Sequence, residues 1–289
     1  MSDEELEKLK KQIGRHRGKN PAYEKILDFY EKVREIQLDV TPAVSVTPLK
    51  TKDDIRKLQT KEGFPLINKE NFSIDIPSSI VLFESLCKIA KEATSKMNEN
   101  IQKIDKAIAE NTLPLDELLL KHSDNVYQEK ISKELEIDKP VLQFLVHMSI
   151  MPSIQANVKN LKDHLDLKNW SMGYCPVCGS FPKISELKGE GGKRYYLCFF
   201  CSFIWPSQRL KCPFCDNQNH EKLHYFHAEG QKAYRVELCE NCKQYIKTVD
   251  RRNLDYEPDL DLEDVVTIHL DILATEKGYK NPIPSFWGL

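Results

Sequence analysis

Four Cys-x-x-Cys pairs, Cys175/Cys178, Cys198/Cys201, Cys212/Cys215 and Cys239/Cys242, constrain this chain more than any other feature of its sequence. A divalent ion bound by thiolates takes four sulfurs in a tetrahedron. Two intervening residues let both sulfurs of a pair reach one ion from a single tight turn. Eight sulfurs in four such turns make two closed four-cysteine sites. Sequential pairing places the first two pairs on one metal and the last two on another. Nested pairing, the first pair with the fourth, requires closure of longer loops and is the less favoured arrangement.

The local chemistry fits such turns. In Cys175-Pro176-Val177-Cys178-Gly179 the proline fixes φ, and the glycine follows where backbone bends close to a sulfur. Cys212-Pro213-Phe214-Cys215-Asp216 repeats the Cys-Pro start. The second and fourth pairs are each preceded by a strand-like run, residues 193–197 and 233–238, and followed by another, 203–205 and 244–249. The region is a duplicated ribbon.

Disulfides are an alternative use of cysteines and belong to secreted chains. The start, Met1-Ser2-Asp3-Glu4-Glu5, is acidic and has no apolar signal segment, and no run reaches membrane-spanning length. These features favour a cytoplasmic chain with reduced thiols. A single redox-active Cys-x-x-Cys is the other alternative, but a regular set of four suits that task poorly.

At 289 residues the chain can hold more than one domain, and its formal net charge of −2 supplies no basic excess for gripping nucleic acid. Up to about Asp166 the pattern is helical. Ser2 and Glu5 form a capping box, and Asn20-Pro21 caps a second helix carrying Ile26, Leu27, Phe29, Tyr30 and Val33. Thr41 to Ile76 is proline-broken connection, with one short helix near residues 53–60. Helices follow near residues 78–96, 97–110, 115–122, 125–134 and 140–165. The last is apolar enough to be central, and Pro152 should kink or divide it. Leu260 to Glu276 is a closing helix, and an apolar tail ends at Pro282-Ile283-Pro284-Ser285-Phe286-Trp287.

Several residues have plain readings. Cys87, on an apolar helical face, is a core residue, and His147 is a packed histidine. His220, His224 and His227 lie between the third and fourth pairs, but four thiolates already fill each site. Arg194, Arg209, Lys211, Arg235, Lys243 and Lys247 surround the cysteines, where cations offset a site of net charge about −2. A stacking surface of Tyr195, Phe199, Phe200, Trp205 and Phe226 for nucleic acid is the sharper alternative; the same aromatics suit a small ribbon core. No catalytic dyad, phosphate-binding loop or open metal position stands out, so an enzyme is not expected.

The chain resembles the FdhE family, accessory proteins of formate dehydrogenase maturation. The resemblance is carried by the run from Tyr174 to Pro182, by Arg194-Tyr195-Tyr196-Leu197-Cys198, and by Cys201, Trp205, Arg209, Cys212 and Cys215. It continues through Leu223-His224-Tyr225-Phe226, Arg235 to Cys239, Cys242, Tyr245-Ile246-Lys247, and the stretch from Leu273 to Pro282. It implies a multidomain α+β protein: a helical domain over 1–168, rubredoxin-like ribbons over 169–210 and 211–254, and a C-terminal helix and tail over 255–289. It also implies two metal ions, iron or zinc, since both accept four thiolates. The implied partner is the catalytic subunit of a molybdenum- or tungsten-dependent formate dehydrogenase, with no specific nucleic acid and no membrane span. A zinc-ribbon nucleic-acid-binding protein is the alternative, and a metallo-redox enzyme a weaker third.

Overall fold

The first half of the chain folds into helices whose ends are set by local side chains. A computed structural model describes residues 3–48, 58–161, 165, 167–168, 170–283 and 285–287. The chain forms two compact units. One comprises Met1–Leu49, Lys69–Asn160 and Ser285–Leu289, and the other Lys50–Asn68 and Leu161–Pro284.

The first unit is helical. Its helices are α1 (Asp3–Gly14), α2 (Glu24–Val40), α3 (Ile76–Ala90), α4 (Ser95–Ala109), α5 (Leu115–Leu120), α6 (Asn125–Glu134) and α7 (Lys139–Leu161). Asn20 accepts a hydrogen bond from the Ala22 N–H, and Pro21 opens a short 3-10 turn ahead of α2. Asp75, Thr94 and Asp124 cap α3, α4 and α6 in the same way, each answering amides that the helix leaves unpaired. Leu27, Tyr30, Leu82, Phe83, Leu86, Ile101, Ile104 and Phe144 make the core, joined by Cys87. Burial pushes the Cys87 thiol up to about 12, so it stays neutral. Phe286 and Trp287 of the tail also pack here, with Trp287 edge-on to Phe29, Tyr30 and Phe144 and Phe286 against the His147 ring. The capping box at Ser2 and most of the short helix near 53–60 lie outside the described residues.

Helix α7 is not divided at Pro152. Proline has no N–H, so the carbonyl four residues earlier, that of Met148, loses its helical partner. The buried Gln37 side chain on α2 replaces it, its Nε2 donating to the Met148 oxygen at 2.8 Å. A neighbouring helix supplies the missing donor, and α7 runs on.

The second unit is built on one mixed six-stranded sheet in the order β3-β2-β1-β6-β5-β4. Its strands are β1 (Pro182–Lys188), β2 (Lys193–Cys198), β3 (Ile204–Ser207), β4 (Leu223–Phe226), β5 (Tyr234–Cys239) and β6 (Gln244–Asp250). Two antiparallel three-stranded halves meet at a parallel pairing of β1 with β6, in which Ser185 faces Thr248. One face packs under α8 (Leu260–Val265) and α9 (Ile268–Glu276), burying Ile184, Leu197, Val249 and Leu260 together, and Val236, Leu238, Tyr245 and Leu270 together. Among the described residues, no helix is long and apolar enough to cross a membrane.

The single closing helix expected over 260–276 is two. The break falls at Val266-Thr267, where the buried Thr267 hydroxyl donates to the Glu263 carbonyl at 2.6 Å and the backbone leaves helical geometry. Beneath the break Lys247, 3% exposed, bridges Asp264 of α8 at 2.8 Å and Asp271 of α9 at 2.7 Å. Burial works against its charge, but the two carboxylates outweigh it and hold its pKa above the usual lysine value.

Candidate metal centres

All four Cys-x-x-Cys pairs adopt one turn. In each, the residue after the second cysteine sits in the left-handed region: Gly179 at φ 73°, Ser202 at 53°, Asp216 at 58° and Lys243 at 56°. In each, that residue's N–H bonds back to the carbonyl of the first cysteine, at 2.9, 3.2, 3.1 and 2.8 Å in chain order. The reversal aims both sulfurs inward. Three of the four positions bear side chains in a region that favours glycine, a strain that persists where surrounding contacts fix the turn. At Gly179 the space is also restricted, since a Cβ would lie 2.9 Å from Pro65 Cγ.

The eight sulfurs gather into two clusters in the sequential arrangement. Cys175, Cys178, Cys198 and Cys201 form the first, and Cys212, Cys215, Cys239 and Cys242 the second. Within the first, Cys175 Sγ lies 3.6 Å from Cys201 Sγ and Cys178 Sγ lies 3.4 Å from Cys198 Sγ. In the second, the Cys212–Cys242 and Cys215–Cys239 sulfur pairs are each 3.7 Å apart. A tetrahedron with metal–sulfur bonds of about 2.3 Å has edges of about 3.8 Å. These separations approach that edge, and no cysteine pair forms a disulfide.

The clusters differ in their surroundings. All four cysteines of the first are buried. Residues 64–67, from the stretch that sequence assigns to connection, cover it: Leu66 and Ile67 donate backbone N–H groups to the Pro176 and Val177 carbonyls at 2.9 and 3.0 Å. Backbone N–H groups of Val177 and Cys201 donate to the Cys175 and Cys198 sulfurs at 3.4 Å. In the second cluster Cys212 and Cys239 are buried, but Cys215 and Cys242 are partly exposed. There the amides of Asn241 and Asn217 donate to the Cys215 and Cys239 sulfurs. Burial raises the Cys215 pKa, yet the Asn241 and backbone donors outweigh it and pull the thiol down to about 7.

His220, His224 and His227 lie outside both clusters. The nearby cations, apart from Arg209, face carboxylates rather than sulfurs. Arg194 and Arg235 pair with Glu237, Lys211 with Asp216, Lys243 with Glu240, and Lys247 with Asp264 and Asp271. Trp205 and Phe200 are buried core residues, so they are withdrawn from any stacking surface.

A helical unit and a mixed sheet that carries two four-cysteine clusters make this an α+β protein of metal-binding type. Residues 174–209 match the family model for the FdhE central domain, and residues 210–286 match that for the FdhE C-terminal domain. A protein named FdhE homolog from Aquifex aeolicus is 25% identical over 276 residues, spanning 93% of this chain and 90% of that protein. Protein FdhE of Escherichia coli K12 is 33% identical over 109 residues, 37% of this chain and 34% of that protein. The crystal structure of the FdhE protein from Pseudomonas aeruginosa shares the fold, with a TM-score of 0.65 at 17% identity over 98% of this chain and 93% of that one. Along residues 174–286 the chain is thus similar to the central and C-terminal domains of FdhE proteins.

Proposed function

We propose that this chain is an accessory protein of formate dehydrogenase maturation, binding the catalytic subunit of that enzyme in the cytoplasm. The observation that carries the reading is the pair of four-sulfur clusters set in one sheet within a chain similar to FdhE proteins. Cys175, Cys178, Cys198 and Cys201 hold one ion, iron or zinc, and Cys212, Cys215, Cys239 and Cys242 hold the other. A bound ion supplies a crosslink between two turns, and iron would add a one-electron change of charge. The chain's own part is to present eight thiolates in rigid turns and to keep water from the first cluster. The domains proposed for this role are a helical part over 1–168, two ribbons over 169–210 and 211–254, and a C-terminal helix and tail over 255–289.

The test is anaerobic copurification of the tagged chain with the formate dehydrogenase catalytic subunit from the native cell, alongside formate dehydrogenase activity in a deletion strain. Specific recovery of that subunit, with activity lost on deletion and restored by the gene, supports the reading. Normal activity without the gene contradicts it.

A further inference from the structure

On the sheet face turned away from α8 and α9, a cavity of about 170 Å³ opens between the 209–214 segment and strands β4 and β5. Its floor holds more guanidinium than carboxylate groups, beside Cys212 and Cys239 of the second cluster. The Arg194 guanidinium, 2% exposed, donates through Nη2 to Glu237 at 2.7 Å. Arg235, 12% exposed, donates to the same carboxylate through Nε at 2.9 Å and Nη2 at 2.6 Å. One carboxylate thus answers two guanidinium groups.

The remaining partners of these arginines are neutral. Arg194 also donates to the Arg209 carbonyl at 3.1 Å and to Ser185 Oγ at 3.2 Å. Among the described residues, no acceptor lies on Arg235 Nη1. At the rim Arg209 donates to the Gly191 carbonyl at 3.1 Å, and no carboxylate of the described residues lies within ion-pair distance of it. Lys211 adds no surplus, because Asp216 lies 2.7 Å away. Among the described residues, no arginine donates to a sulfur of the second cluster. A guanidinium with free N–H groups fits a carboxylate edge.

We infer that this cavity is a binding site for a carboxylate, received by Arg235 and Arg209, with Tyr225 and Leu210 taking the carbons next to it. Both latter residues are largely exposed at 60% and 63%, and the Arg235 guanidinium lies 4.8 Å over the Tyr225 ring, which fixes its plane. The volume admits a carboxylate and a few attached carbons. A free organic acid and an acidic side chain of a partner protein share this chemistry.

The experiment is NMR of the metal-loaded full chain, observing the arginine Nε–H signals. Propionate and capped Ala-Glu-Ala are titrated at constant ionic strength, with propionamide and capped Ala-Gln-Ala as uncharged counterparts. Saturable shifts with the carboxylates, about tenfold or more weaker with the amides, support the site. Tighter binding of the peptide would identify a protein side chain as the ligand, and tighter binding of propionate a free acid. Arg209→Gln, at an exposed position, and Arg235→Gln, which leaves the Arg194–Glu237 pair balanced, should each abolish saturation with metal content unchanged. No saturation by either acid, equal binding by sulfate or by the amides, or unchanged binding in both variants would overturn the inference.

Discussion

Ser185 and Thr248 meet hydroxyl to hydroxyl at 2.7 Å across the parallel β1–β6 pair, both fully buried. This contact lies on the seam where the two halves of the sheet join, each half carrying one cysteine cluster. Replacing one hydroxyl leaves its partner buried with a weakened bonding set. Ser185→Ala or Thr248→Val alone should cost about 1–3 kcal/mol, and the double variant should cost less than the sum. Urea unfolding of the four proteins in the cycle measures the coupling; strict additivity would mean that the seam does not depend on this pair.

The Gln37–Met148 hydrogen bond gives a second test. Gln37→Leu fills similar space but leaves the Met148 carbonyl, already orphaned by Pro152, without a donor. A loss of about 1–3 kcal/mol is expected. Restoring a backbone N–H by Pro152→Ala in the Gln37→Leu background should recover much of it. If the single variant is as stable as the parent, the carbonyl has another partner.

His122 makes the helical unit sensitive to acid. It is 7% exposed, and burial lowers its pKa to about 4. The unfolded chain, titrating near 6.5, takes up the proton first. Stability is therefore full above pH 6.5 and falls as pH drops from there through about 4, by a total of about 3 kcal/mol. Urea unfolding across that range should show the slope, and His122→Asn should flatten it. An equal slope in the variant would assign the acid loss to other groups.

The two clusters should release metal at different rates. Residues 64–67 cover the first, whereas Cys215 and Cys242 of the second reach solvent. Solvent access governs how readily a competing ligand attacks a site. A chelator should remove one equivalent quickly and the other slowly, and Cys215→Ser should abolish the fast phase. A single phase for both equivalents would show that this cover does not protect the first cluster.

Much of this arrangement is legible in the sequence, because spacing within a turn is local information. The four pairs specify tight turns, and Asn20-Pro21 marks a helix start. What is not legible depends on distant partners. Nothing near Ser185 announces pairing with a strand more than sixty residues later. Gln37 looks like any polar helix residue until Met148 lies beside it. The break at Thr267 sits inside a run whose apolar spacing suits one helix. The cover by residues 64–67 was hidden because a proline-rich stretch without periodicity resembles connection. Gly179 marks its turn in the sequence, whereas Ser202, Asp216 and Lys243 take the same left-handed turn without such a mark.

The proposed function rests on eight cysteines holding two ions. Metal analysis of the purified chain, combined with X-ray absorption at the metal edge, tests it most directly. Two ions per chain, each with four sulfurs at about 2.3 Å and no lighter neighbour in the first shell, is the predicted result. One ion per chain, or nitrogen or oxygen among the ligands, would contradict it.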